Sequence, residues 1–98
     1  MNQRTAFFFY LLALVTYSQD VKPILDAHCV ECHSANASLD LTRFPFSCKN
    51  IADQPTIVDT MLAKVEANPA LMPPGNRPKL DPSEVSVIQQ WRDGGLAP

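Results

Sequence analysis

Residues 29 to 33 read CVECH, two thiols and an imidazole within five positions of a chain that holds only three cysteines and two histidines. Three chemistries use so dense a ligand set: a structural metal, a redox-active dithiol, or a cofactor attached through sulfur. Zinc requires four ligands, and outside this segment only Cys48 and His28 remain, with no second Cys/His pair at close spacing. A redox dithiol sits at the start of a helix that follows a strand, and the chain carries no βαβ pattern to supply that setting.

The spacing C-x-x-C-H is the attachment pattern of c-type haem. Cys29 and Cys32, about one helical turn apart, can reach the two vinyl groups on one edge of a porphyrin and form thioethers. His33, adjacent to the second thioether, is then held beneath the iron as its proximal ligand. Met72 adds to this. It stands in LMPPG, 39 residues after His33, and a soft thioether raises the potential of a His-ligated iron. The two prolines after it restrict the backbone, so the sulfur can be aimed at small entropic cost. Met72 could instead fill a gap in the core. Met61 is the rival thioether, but it falls on the apolar stripe of a helix, where packing is its expected role. Cys48 is left as an odd thiol, expected to be buried and inert, with an intermolecular disulfide as the alternative. His28 is expected on a helix surface or beside a haem propionate.

The elements that must position these groups are legible in part. After Arg4 comes AFFFYLLALV, an apolar run from Ala6 to Val15, followed by the small residues Thr16 and Ser18. A basic residue, a short apolar core and small residues describe an export signal over residues 1–18, cleaved before Gln19. The run is too short to span a bilayer core of about 30 Å as a helix; retention as an uncleaved anchor is the alternative and the one route to membrane association. The domain then covers residues 19–98. Losing Arg4 leaves seven Lys+Arg against ten Asp+Glu, a formal charge of −3, which argues against nucleic acid as a partner. So short a chain usually needs a cofactor, metal or disulfide inside its core.

Three segments carry helical spacing. SQDVKPILDAHC places Val21, Ile24, Leu25 and His28 three and four apart, with Asp20 as N-cap and Pro23 in the first turn. PTIVDTMLAKVEAN sets Val58, Met61, Leu62 and Val65 on one face and stops at Asn68-Pro69. DPSEVSVIQQWRDGG begins with Asp81 as N-cap, Pro82 at the first helical position and Glu84 completing a capping box. Its stripe is Val85, Ile88 and Trp91, and Gly94 or Gly95 is the stop. Leu39, Leu41, Phe44 and Phe46 alternate with polar residues, but no second strand pattern exists to pair with them, so they are expected to line a pocket together with Leu62 and Leu71. NPALMPPGNRPKLDP holds five of the nine prolines and reads as a stiff loop. The fold class is all-α, three main helices with ordered loops.

With these residues in view, the chain resembles the small class I monohaem c-type cytochromes of exported bacterial type. DVKPILDAHCVECH, MPPG and VIQQWRDGG carry the resemblance, which covers essentially all of residues 19–98. It implies a compact cytochrome c fold around one covalently attached haem c, with its first and last helices crossing and Trp91 packing toward Val21, Ile24 or Leu25. It further implies His33 and Met72 as the iron's axial ligands, and electron transfer between redox partner proteins outside the cytoplasmic membrane. A labile sixth ligand would instead make a gas sensor or a peroxidase-like enzyme. A chain without haem would be a small zinc-stabilised interaction module.

Overall fold

The computed structural model describes residues 15–98; the expected export signal lies outside the described residues up to position 14. The first element begins earlier than its periodicity suggested. Thr16, not Asp20, is the N-cap: its hydroxyl accepts from the Gln19 N–H at 3.3 Å, while the Asp20 carboxylate accepts from the Thr16 N–H at 2.9 Å. A π-helical turn, Tyr17–Val21, then runs into helix α1, Lys22–His28. Pro23 has no N–H to give to the carbonyl four residues back, and the turn ahead of it is correspondingly wide.

The two longer helices follow their caps. Helix α2, Gln54–Glu66, starts where the Asp53 carboxylate accepts from the Thr56 N–H at 3.0 Å. It buries the expected Val58, Met61, Leu62 and Val65, together with Ile57. Helix α3, Pro82–Asp93, has both arms of its capping box: Glu84 N–H donates to Asp81 Oδ1 and Asp81 N–H to Glu84 Oε1, each at 2.9 Å. Gly94 is its C-cap, and Gly95 (φ 95°) takes the left-handed conformation that turns the chain back.

One expectation is overturned between α1 and α2. Strand β1, Leu39–Asp40, pairs antiparallel with β2, Ser47–Cys48, in the register Leu39 to Cys48 and Asp40 to Ser47. Two residues per strand are too few to leave an alternating pattern in the sequence.

After Gly95 the chain returns to the first described element. Tyr17 N–H donates to the Ala97 carbonyl at 2.8 Å and Ser18 N–H to that of Pro98 at 3.1 Å. Above this pairing sits an aromatic cluster. The fully buried Trp91 lies 5.2 Å from Phe44, 6.0 Å from Phe46 and 6.0 Å from Tyr17, centroid to centroid. Its indole N–H donates to the Ala97 carbonyl at 2.8 Å. Val21, Ile24 and Leu25 belong to the same core. Thr16, Tyr17 and Ser18 are therefore part of the folded body, and a cut before Gln19 would take Tyr17 out of it. The result is a compact three-helix, mostly α-helical globule. Among the described residues no helix is long and apolar enough to cross a membrane.

Candidate functional site

A cavity of about 350 Å³ opens beside the end of α1, and Cys29, Cys32, His33 and Met72 all line it. Local hydrogen bonding explains how the first three arrive together. Cys29 is the C-cap of α1, its N–H on the Leu25 carbonyl at 2.8 Å. The next turn winds on, with Cys32 N–H and His33 N–H both donating to the Cys29 carbonyl, at 3.2 and 2.9 Å. The His33 carbonyl in turn accepts from Leu41 N–H at 2.9 Å, which ties this turn to the hairpin.

Met72 reaches the cavity from the proline-rich loop. The last carbonyls of a helix have no partner within it, and one of them, on Lys64 of α2, accepts from Leu71 N–H at 2.9 Å and Met72 N–H at 3.3 Å. Pro73, next in the chain, is buried against the same space. The rival sulfur is present as well. Met61, 8% exposed on the buried stripe of α2, also lines the cavity, so packing in the core does not remove it from the site.

The remaining lining is apolar with few exceptions. Leu39 and Leu41 contribute to it as expected, but Phe44 and Phe46 do not: they serve the aromatic cluster around Trp91. Leu62 is buried in the core away from the lining, and Leu71 is 55% exposed. The hairpin turns side chains in an order that alternation alone could not reveal. Ile51, Ile57 and Val65 line the cavity without having been singled out, and of these Ile57 and Val65 continue the face of Met61 on α2. Thr60 and Lys64, exposed on α2, stand at its edge, and no carboxylate lines it.

Cys48, half-buried, also borders the space, and none of the three cysteines is paired in a disulfide. Burial pushes the Cys29 thiol up to about 11, with the neighbouring Cys32 and Glu84 adding to the rise. That is the reverse of a redox dithiol, whose attacking sulfur has a lowered pKa. His28 does what the sequence could not show. Its Nε2 lies 3.1 Å from Glu84 Oε2, tying the end of α1 to the first turn of α3 across 56 residues. Among the described residues no group of three or more His, Cys, Asp or Glu side chains converges as a metal shell.

The arrangement therefore offers three thiols, two imidazoles and two thioethers around an apolar space. Such soft donors suit a large apolar group with a soft metal at its centre better than a hydrated cation. Comparisons with protein-family models, curated proteins and solved structures found no match.

Proposed function

We propose that this chain is an exported electron carrier, a small c-type cytochrome whose single haem is held by Cys29, Cys32, His33 and Met72. The observation that carries the reading is that these four residues, chosen by spacing and chemistry, line one apolar cavity. The donor set fits the group. Burial opposes a thiolate at Cys29, whereas a thioether is uncharged and is not penalised there.

Within this reading each residue has a task. Cys29 and Cys32 hold the group by two covalent bonds, so it cannot be lost to a partner. His33 supplies an imidazole, fixed by the turn that Cys29 begins, and Met72 supplies a thioether from the distal loop. The leucines and isoleucines of the lining exclude water and favour the less charged redox state. The bound haem would supply a one-electron couple, and His33 and Met72 are the residues that would hold its iron. Its partners are redox proteins outside the cytoplasm, met through brief contacts.

The test is a spectrum of protein exported from a host with haem-attachment machinery. Covalent haem, low-spin iron and a Met–iron charge-transfer band are the expected result. High-spin iron would favour a sensor or a peroxidase-like enzyme, and protein without haem would overturn the proposal.

A further inference from the structure

Beyond Met72, which the Lys64 carbonyl holds, the distal loop has little backbone bonding of its own. Pro73, Pro74 and Pro78 have no N–H, and the one backbone bond within residues 73–78 is Arg77 N–H to the Pro74 carbonyl at 3.3 Å. Two side chains supply what the prolines lack. The Lys79 ammonium donates to the Pro73 carbonyl, and at 3.2 Å to the Gly75 carbonyl. The Arg77 guanidinium pairs with the carboxylate of Glu31, one of the two residues between Cys29 and Cys32.

These ties differ in kind. Arg77 and Glu31 are 45% and 72% exposed, so their attraction is weak and screened by salt. Lys79 instead gives one cation to two carbonyls that close the turn around Gly75 (φ 63°). One of these carbonyls belongs to the residue bonded directly to Met72.

We infer that Lys79 is a positioning residue for Met72: by gathering the Pro73 and Gly75 carbonyls it keeps the distal loop folded onto the cavity. It thereby sets how readily the thioether leaves. The inference rests on the proposed ligation by Met72. Its physical content is a local opening equilibrium, which controls access to the sixth position without any change at the iron ligands themselves.

The experiment compares holoprotein carrying Lys79→Ala, Lys79→Arg or Arg77→Gln with the unaltered protein. Lys79 is exposed, so its truncation leaves no core cavity and the fold should survive. Losing its bonds should speed amide exchange at Leu71 and Met72 about fivefold, the loss expected for one ordinary hydrogen bond. Exchange at Ile88 in α3 should stay unchanged. Imidazole affinity should rise by a similar factor and the Met–iron band should weaken. Lys79→Arg should restore most of both, and Arg77→Gln should move them less. Unchanged exchange and imidazole affinity in Lys79→Ala would overturn the inference, as would an equal effect of Arg77→Gln, which would make loop charge the cause. Absence of covalent haem would overturn the proposed function instead, while exchange at Leu71 and Met72 would still decide whether Lys79 holds the loop.

Discussion

Two methionine sulfurs, of Met61 and Met72, reach the cavity where the proposed function needs one, and their surroundings separate them. Met61 is fixed in the middle of α2 and buried among Ile57, Leu62 and Val65. Met72 is half-buried on a loop tied to the Lys64 carbonyl, where a side chain can be presented to a ligand without disturbing a helix. Met72→Ala should therefore keep haem covalently attached, abolish the Met–iron band and lower the potential, since the soft thioether that favours ferrous iron is gone. Met61→Ala should cost on the order of 2–5 kcal/mol of stability and leave the band in place. Titrating both variants with denaturant and recording both spectra decides the matter, and the reverse pattern would give the role to Met61. On the proximal side, Cys29→Ala, Cys32→Ala and His33→Ala should each leave little holoprotein on export, measured as haem per chain. Ordinary yield of haem-loaded His33→Ala would remove the imidazole from the proposal. That Cys29, Cys32 and His33 stand together at the cavity was legible because they fall within five positions in a row. Met72 stood out through the prolines beside it, and it lines the same cavity. The tie of His28 to Glu84 was not legible, because no local pattern announces a partner 56 residues away.

The helices differ in how fully the sequence specifies them. Helices α2 and α3 announce themselves by apolar spacing, and α3 also by Asp81 as its cap; the matching cap of α2, Asp53, emerges only in the structure. The first element mixes a π turn with a short α-helix around Pro23, so its spacing misled by several residues and hid Thr16 as the cap. The β1–β2 pair was hidden by its shortness, and with it the turning of Phe44 and Phe46 away from the cavity. The two aspartate caps carry a pH dependence. The Asp53 carboxyl is held below its ordinary value by the Thr56 hydroxyl and N–H, and Asp81 by the Ser83 hydroxyl and the Glu84 N–H. A carboxyl with a depressed folded pKa stabilises the fold above its unfolded value of about 3.9. That contribution fades as pH falls through the lower folded value. Urea midpoints should therefore decline below about pH 4. In the Asp53→Asn/Asp81→Asn protein the decline should be shallower, since asparagine caps a helix but does not titrate there. An equally steep acid limb in that variant would show that the caps are not its source.

At the scale of the molecule, one body of side chains serves two purposes. The aromatic cluster joins the first element to α3, while the cavity lies among α1, the hairpin and α2. Tyr17 ties the first described element to the C-terminal residues, through its ring on Trp91, Phe44 and Phe46 and through its N–H on Ala97. The sequence hid this, because Tyr17 stands two residues after the apolar run and reads as the end of an export signal. If the chain is exported as proposed, the burial of Tyr17 predicts a mature protein that keeps it. Protein recovered from outside the cytoplasm should begin at or before Thr16, as N-terminal sequencing would show. A chain made to start at Gln19 should be less stable than one starting at Val15. Tyr17→Ala should show a similar deficit, about 3–5 kcal/mol, as expected for removing a buried aromatic ring. Tyr17→Phe separates the ring from its hydroxyl. That oxygen is buried without a hydrogen-bond partner among the described residues, so deleting it should leave the melting temperature unchanged or raise it. If the exported protein starts at Gln19 and melts where the longer form does, Tyr17 is dispensable and the C-terminal residues are held by something other than this cluster.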